Sequence, residues 1–168
     1  MPKTTYLLLG TNLGKRDINL SMARGHIGEK IGTILYSSKI YETAAWGKED
    51  QPDFLNQVIM LNTYLDPYSL LEELQKIEAI IGRQRKVKWG ERIIDLDILF
   101  YEKEVINDER LTIPHAGIPF RRFTLLPLQE IAAKLVHPVL HKTIDQLLAK
   151  CADHLEVWPY VPSRAANN

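Results

Sequence analysis

Residues 94–100, Ile-Asp-Leu-Asp-Ile-Leu-Phe, begin with a regular alternation of apolar and acidic side chains. Successive side chains of a strand point to opposite faces of its sheet. The alternation therefore predicts a β-strand with Leu96 and Ile98 on one face and Asp95 and Asp97 on the other. Along such a strand the two carboxylates lie about 6–7 Å apart. The chain is thus expected to build a sheet that is buried behind this strand and presents two acids on its other face.

The rest of the chain predicts a regular order of strands and helices. Apolar or β-branched runs predict strands at residues 6–9, 33–43 and 58–65, with a polar loop at 44–56 and a short strand at 105–106. Helical spacing predicts helices at 17–31 and 67–81; Asp66-Pro67 begins the second, and Gly82 is its expected C-terminal cap. Further helices are predicted at 121–135, broken or kinked at Pro127, and at 143–150. The order β-α-β-β-α-β followed by extra helices predicts an α+β ferredoxin-like sandwich, an antiparallel sheet with helices packed on it.

Length and composition favour one globular domain over residues 1–168, with a core at about 4–158 and a flexible C-terminal tail. Lys plus Arg (21) equals Asp plus Glu (21), whereas proteins that bind nucleic acid or anionic membranes usually carry a basic excess. We therefore expect neither partner, and no protein partner is implied. A single cysteine, Cys151, excludes an internal disulfide, and the first apolar run is too short for a signal peptide or a membrane span. These features predict a cytoplasmic location.

The acid pair is the first candidate for chemistry. Two carboxylates this close repel each other unless a positive charge lies between them, and Mg²⁺ is commonly held by one or two carboxylates together with substrate phosphates. A bare Asp-x-Asp is at least as often an ordinary solvated strand face. The segment 82–92 changes this balance, because it places five cationic side chains and Trp89 just before the strand. Such a segment is suited to fold over a triphosphate, although charge runs are usually plain surface loops.

A second group of polar residues follows the acidic strand. Arg110 and Thr112 share a face by the period of two, and His115 comes shortly after, a set that favours phosphate or nucleotide contact over a purely structural role. Arg121, Arg122 and Phe123 stand at a predicted helix start, where the helix dipole favours anions. The chain has no Walker-type glycine loop, no Cys/His zinc spacing and no serine or cysteine nucleophile elbow.

Taken together, these segments resemble the 6-hydroxymethyl-7,8-dihydropterin pyrophosphokinases of folate biosynthesis. The resemblance extends over nearly the whole chain, from about residue 6 to about residue 158. The matching segments are Leu9–Gly14, Tyr41–Thr43, Asp50–Asn56, Ile77–Arg85, Trp89–Ile98 and Arg110–His115. The family fold is a ferredoxin-like α+β sandwich, in agreement with the predicted order of elements.

The resemblance implies an enzyme that transfers pyrophosphate from ATP to the hydroxymethyl group of the pterin and releases AMP. Two Mg²⁺ ions would be held by Asp95 and Asp97, with Arg83 and Arg92 as further catalytic residues. The pterin would lie between Phe54 and Phe123 and would also contact Thr43, Trp46, Asn56 and Asp95. The ATP site would be formed by Gln75, Glu78, Arg85, Trp89, Ile98, Arg110, Thr112, His115 and Arg121.

Several positions depart from the family pattern. Phe54 stands where many members have tyrosine, which keeps the stacking face and loses a hydroxyl. Residues 44–46, Ala-Ala-Trp, replace a proline-containing stretch, and Ala116 replaces a tyrosine that some members carry. Three residues separate Arg85 from Trp89, one fewer than in some relatives.

Two other functions fit parts of this pattern. Palm-type nucleotidyl transferases and cyclases also use two metals on a similar sheet, but their acids usually come from two strands, whereas here both come from one. Ferredoxin-like sheets also bind RNA, but this chain lacks the paired aromatic pattern of those modules.

Overall fold

The computed structural model of the chain describes residues 1–44, 53–84 and 93–161. Within these ranges the strands are β1 (Lys3–Thr11), β2 (Gly32–Ser37), β3 (Tyr41–Thr43), β4 (Phe54–Thr63), β5 (Asp95–Tyr101), β6 (Ile106–Asn107), β7 (Thr112–Ile113) and β8 (Val157–Pro159). The helices are α1 (Arg16–Lys30), α2 (Pro67–Gln84), α3 (Arg122–Ala132) and α4 (Ile144–Ala149), and a short 3-10 helix spans Ile118–Phe120.

The main sheet is antiparallel and follows the order β5-β1-β4-β3-β8, with β2 pairing along the same edge of β4 as β3. The pair β6–β7 forms a separate small sheet. Strands β1, β2, β4 and β5 with helices α1 and α2 make the predicted α+β ferredoxin-like arrangement. One face of the sheet packs its apolar side chains with those of α1 and α2, and the other face packs with α3 and α4.

The start of α2 follows the predicted cap. The amide of Ser69 donates to the Asp66 carboxylate at 2.9 Å, and this bond is the main cause of a lowered pKa of Asp66. The predicted end was wrong, because α2 continues through Gly82 to Gln84. The buried stripe explains the extension: Leu74, Ile77 and Ile81 are fully buried, and this packing outweighs the low helix propensity of one glycine.

Two predicted strands had wrong bounds. The segment 33–43 is interrupted between β2 and β3, and β4 begins at Phe54 inside the predicted loop 44–56. The start of β4 was missed because its first residues include polar side chains, which are typical of a loop. In the structure these side chains are buried, with Asn56 and Gln57 only 4% and 5% exposed. Their burial is supported by bonds such as that from the Gln57 amide to the Ser38 carbonyl oxygen at 2.7 Å. The short strand expected at 105–106 lies at Ile106–Asn107.

The C-terminal third also differs in detail. Pro127 lies inside α3 without ending it, and the helix stops at Ala132 before the predicted 135. The prediction did not include β8, which pairs with β3 through Trp158 and Glu42. No helix among the described residues is both long and apolar enough to cross a membrane.

Candidate active site

A pocket of about 570 Å³ opens on the sheet face that carries α3, a size typical of small-molecule sites. Its walls come from four strands, the start of α3 and the C-terminal segment. The lining residues are Leu8, Gly10, Thr43, Ala44, Phe54, Asn56, Asp95, Asp97, Phe120, Arg121, Phe123, Asp153 and Leu155.

The floor of the pocket is set by the register of three neighbouring strands. Gly10 of β1 pairs with Asn56 of β4 on one side and with Asp95 of β5 on the other, and Leu8 pairs with Asp97. A Cβ atom at Gly10 would come within 3.0 Å of the Asn56 Oδ1 atom. Glycine therefore gives Asn56 the space to stand beside the acid pair, a role that the sequence pattern alone did not indicate.

The acid pair lies as the alternation predicts. Asp95 and Asp97 both line the pocket, and Leu96 and Ile98 are 5% and 4% exposed in the core on the opposite face. The side chain of Ile98, predicted to line the ATP site, is thus packed with α1 and α2. The amide of Leu96 donates to Glu78 Oε2 of α2 at 2.8 Å, which ties the outer edge of β5 to the helix.

Aromatic rings form the sides of the pocket. Phe54 on β4 and Phe123 on α3, the pair predicted to stack on the pterin, both line it, and Phe120 also lines it with 73% of its surface exposed. Thr43 is buried, and its hydroxyl has no hydrogen-bond partner among the described residues. This oxygen is closed off from solvent, so Thr43 lines the pocket as part of its wall and not as an open polar partner.

The C-terminal segment supplies a wall that the sequence pattern did not predict. Asp153 Oδ2 accepts the amide of Arg122 at 3.0 Å, and Asp153 Oδ1 accepts the amide of Leu155 at 3.0 Å. The start of α3, predicted as an anion-binding end, thus already has a carboxylate at its first amide. Arg121 projects beside it, with its guanidinium 5.7 Å from the centre of the Phe123 ring.

The residues predicted for ATP gather around the outer edge of β5. Glu78 reaches this strand from α2, and the amide of His115 donates to the Leu99 carbonyl oxygen at 3.0 Å. Arg110 stacks over the Tyr68 ring at 5.3 Å and pairs with Glu72 of α2 at 3.2 Å. Two further residues predicted for ATP are exposed, Gln75 on α2 and Thr112 on β7, and so is Arg83 on α2, which was predicted as catalytic.

His115 has a pKa below the ordinary histidine value. Burial is the largest cause, and the positive charge of Arg121 adds to it, whereas the Asp97 carboxylate acts in the opposite direction. The amide of Gly117 donates to His115 Nδ1 at 3.0 Å, so this nitrogen is an acceptor and the neutral ring carries its proton on Nε2. His115 is therefore set up as a neutral hydrogen-bond donor near the acid pair. Four predicted site residues, Trp46, Arg85, Trp89 and Arg92, lie outside the described residues.

The donor set fits magnesium. Carboxylate oxygens are the protein ligands that Mg²⁺ prefers, and it usually takes only one or two of them, with waters and phosphates completing its shell. The described part of the chain contains no group of three or more His, Cys, Asp or Glu side chains that could form a metal cage of protein ligands alone. Asp95 and Asp97 are thus suited to an ion that also binds a phosphate ligand.

The protein is thus an α+β fold with a pocket of small-molecule size, and one strand places two acids at the floor of that pocket. This arrangement is typical of an enzyme. The family model for 7,8-dihydro-6-hydroxymethylpterin-pyrophosphokinase matches residues 6–133. The chain belongs to this family.

Individual relatives agree with this assignment. The chain is 43% identical over 152 residues to 2-amino-4-hydroxy-6-hydroxymethyldihydropteridine pyrophosphokinase of Haemophilus influenzae, covering 90% of this chain and 94% of the relative. The protein of the same name from Methylorubrum extorquens is 42% identical over 146 residues, with coverage of 86% and 91%. The crystal structure of wild-type Plasmodium falciparum HPPK-DHPS superposes with a TM-score of 0.72 at 20% identity over 89% of this chain, a likeness of fold. The chain spans 45% of that solved protein, less than half of its length.

Proposed function

We propose that this chain transfers the pyrophosphate group of ATP to the hydroxymethyl group of 6-hydroxymethyl-7,8-dihydropterin and releases AMP, a step of tetrahydrofolate biosynthesis. Membership of the family and the names of the relatives support the reaction. One structural observation supports the proposal for this chain: Asp95 and Asp97, on one strand, both line the aromatic-walled pocket. A carboxylate pair in this position could hold magnesium together with the phosphates of a second substrate.

The pterin is proposed to stack between Phe54 and Phe123. Aromatic contacts of this kind are worth roughly 0.5–1.5 kcal/mol beyond the burial of area, and a flat bicyclic ring uses both faces. Asn56 offers an amide that can donate to and accept from the polar edge of the ring, and backbone groups near Thr43 are proposed as further partners. Trp46 is proposed as an additional contact. The ring is thereby held with its hydroxymethyl arm toward Asp95.

ATP is proposed to lie along the outer edge of β5. The adenosine part would contact Gln75, Glu78, Thr112 and the Ile98 backbone. The phosphates would be met by cationic or donor side chains, namely Arg83, Arg85, Trp89, Arg92, Arg110, His115 and Arg121. These residues orient the triphosphate and neutralise its charge, which is most of what phosphoryl-type transfer requires from a protein.

Asp95 and Asp97 are proposed to hold two Mg²⁺ ions. When bound, the ions would neutralise the phosphates and lower the pKa of the attacking hydroxyl. The chain's own part is positioning: the stacked ring places the hydroxymethyl oxygen in line with the β-phosphorus of ATP, and the pocket walls exclude water. The hydroxymethyl oxygen then gives up its proton, which passes to bulk water, and forms the new bond to the β-phosphorus. The bond between the β-phosphorus and the oxygen that bridges it to the α-phosphorus breaks, and AMP leaves with that oxygen.

We also propose that residues 1–168 form one domain that carries out this reaction without a protein partner. A cytoplasmic location is proposed from the single cysteine.

Calorimetric titration tests the site. The chain is titrated with a non-hydrolysable ATP analogue and with 6-hydroxymethylpterin, each with Mg²⁺ and with a chelator. We expect Mg²⁺ to strengthen binding of the analogue in the wild type and to have little effect in Asp97→Asn, whereas both should bind the pterin. Asp145→Asn is the matched control, since Asp145 lies on α4 outside the pocket lining. Magnesium-dependent binding of the analogue that survives intact in Asp97→Asn would contradict the proposed metal site.

A further inference from the structure

A polar cluster lies beside β3 and the start of β4, on side chains that do not line the pocket. Arg16, the first residue of α1, donates from Nη1 to Glu42 Oε2 at 2.7 Å and to the Asp53 carbonyl oxygen at 2.7 Å. The other carboxylate oxygen of Glu42 accepts from Trp158 Nε1 at 3.0 Å. The Arg16 guanidinium also lies 5.6 Å from the centre of the Tyr160 ring. These contacts join α1, β3, β4 and the C-terminal segment at one point.

The cluster is partly buried, so its hydrogen bonds restrain the local structure more than exposed ones would. The side chains of Arg16 and Glu42 are only 22% and 17% exposed. Arg16 also has two acceptors at short distances, and charge-assisted bonds of this length are stronger than neutral ones. An exposed ion pair would contribute little to order. This one is sheltered by the rings of Trp158 and Tyr160.

The two acceptors of Arg16 are the direct neighbours of two pocket residues. Glu42 precedes Thr43, and Asp53 precedes Phe54. Thr43 and Phe54 are themselves partners in the register of β3 and β4, and both line the pocket. Since successive strand residues point to opposite faces, Glu42 faces away from the pocket when Thr43 faces into it. Arg16 therefore holds the backbone behind both pocket residues without contacting a ligand.

We infer that Arg16 is a positioning residue that fixes the spacing of Thr43 and Phe54 and so sets the affinity of the pocket for its ring ligand. β3 has only three residues, and its other neighbour, β8, also has three. Such short strands hold their own register weakly. The Arg16 bonds supply the restraint that strand length does not. This inference rests on the proposed function for the identity of the ring ligand.

The test compares two cationic residues of the same helix. Arg16→Met removes the guanidinium and keeps an apolar stem, and Lys30→Met removes the charge of an exposed residue in the last turn of α1, outside the pocket lining. Calorimetry measures the Kd of 6-hydroxymethylpterin and, separately, of a non-hydrolysable ATP analogue with Mg²⁺. In Arg16→Met the Kd of the pterin should rise on the order of tenfold, as for other losses of site alignment, while that of the nucleotide stays unchanged. Lys30→Met should change neither.

A second variant keeps the test decisive if Arg16→Met does not fold. Glu42→Gln preserves the shape and an acceptor for Trp158 but removes the charge that faces Arg16, so it should weaken pterin binding in the same direction and by less. Equal pterin affinity in Arg16→Met and Lys30→Met, or an equal loss for pterin and nucleotide in Arg16→Met, would overturn the positioning role. If the wild type fails to bind the pterin both alone and with the ATP analogue and Mg²⁺ present, the proposed function is wrong and this inference is wrong with it.

Discussion

The substitution Gly10→Ala, at the floor of the pocket, should weaken pterin binding while leaving the stability of the fold nearly unchanged. The added Cβ would meet the Asn56 Oδ1 atom at 3.0 Å, closer than an ordinary van der Waals contact, so the Asn56 amide must retreat by a few tenths of an ångström. A net hydrogen bond is worth about 0.5–1.5 kcal/mol. If the displaced amide loses one or two bonds to the ring, binding weakens by about 1–2 kcal/mol, or roughly 5- to 30-fold in Kd.

Stability should respond differently to the same change. Replacing a strand glycine by alanine gains roughly 0.5–1 kcal/mol through the unfolded chain, and this gain offsets the crowding of Asn56. The free energy of unfolding should therefore stay within about 1 kcal/mol of the wild type. Calorimetry with 6-hydroxymethylpterin and denaturant unfolding measure the two quantities on the same samples.

The control is Gly25→Ala, because a Cβ at Gly25 on α1 meets no atom within 4 Å. It should raise stability and leave pterin binding unchanged. In an Asn56→Ala background, Gly10→Ala should cost no further affinity, since the displaced group is gone. Unchanged pterin binding in Gly10→Ala, or the same loss with Asn56 already removed, would refute the reasoning.

Three further predictions concern other parts of the chain. Phe123→Ala should weaken pterin binding much more than ATP binding in paired titrations, and an equal loss of both would make the ring structural. Arg92→Ala should lower kcat on the order of 10²-fold with little change in ATP affinity, as for other donors to developing charge, and the reverse pattern in steady-state kinetics would make it a binding residue. Burial and the bond to Glu130 raise the pKa of Tyr41 to about 12 from 10.0. The folded state therefore retains a proton that the unfolded state loses, so stability should fall as pH rises from 10 to 12, and less so in Tyr41→Phe. Identical pH profiles of unfolding for the two proteins would contradict that assignment.

The shared face of Asp95 and Asp97 could be predicted from the sequence because it depends only on the alternation of neighbouring residues. The alternation around Leu96 fixes which side chains share a face, and the buried side chains of Leu96 and Ile98 on the other face confirm it. The same holds for the start of α2, where Asp66 caps the helix. The succession of the main strands and helices along the chain was also predicted correctly, because both α1 and α2 have buried apolar residues at helical spacing.

The rest of the site depends on contacts between distant segments. Gly10 matters only because strand pairing puts Asn56 beside it, and a single glycine in a strand carries no such signal. Asp153 forms a wall of the pocket through backbone bonds to α3 from a segment without periodicity. The early start of β4 was missed because its first residues include buried polar side chains that resemble a loop in sequence. These features are set by tertiary pairing, which no local pattern encodes.

The products of the reaction test the central proposal most directly. The chain is incubated with ATP, Mg²⁺ and 6-hydroxymethyl-7,8-dihydropterin, and the phosphorus-containing products are separated and identified by ³¹P NMR. Transfer of pyrophosphate predicts AMP and the pterin diphosphate in equal amounts, and neither product when Mg²⁺ is chelated. Formation of ADP with a pterin monophosphate, or of AMP without a pterin diphosphate, would contradict it.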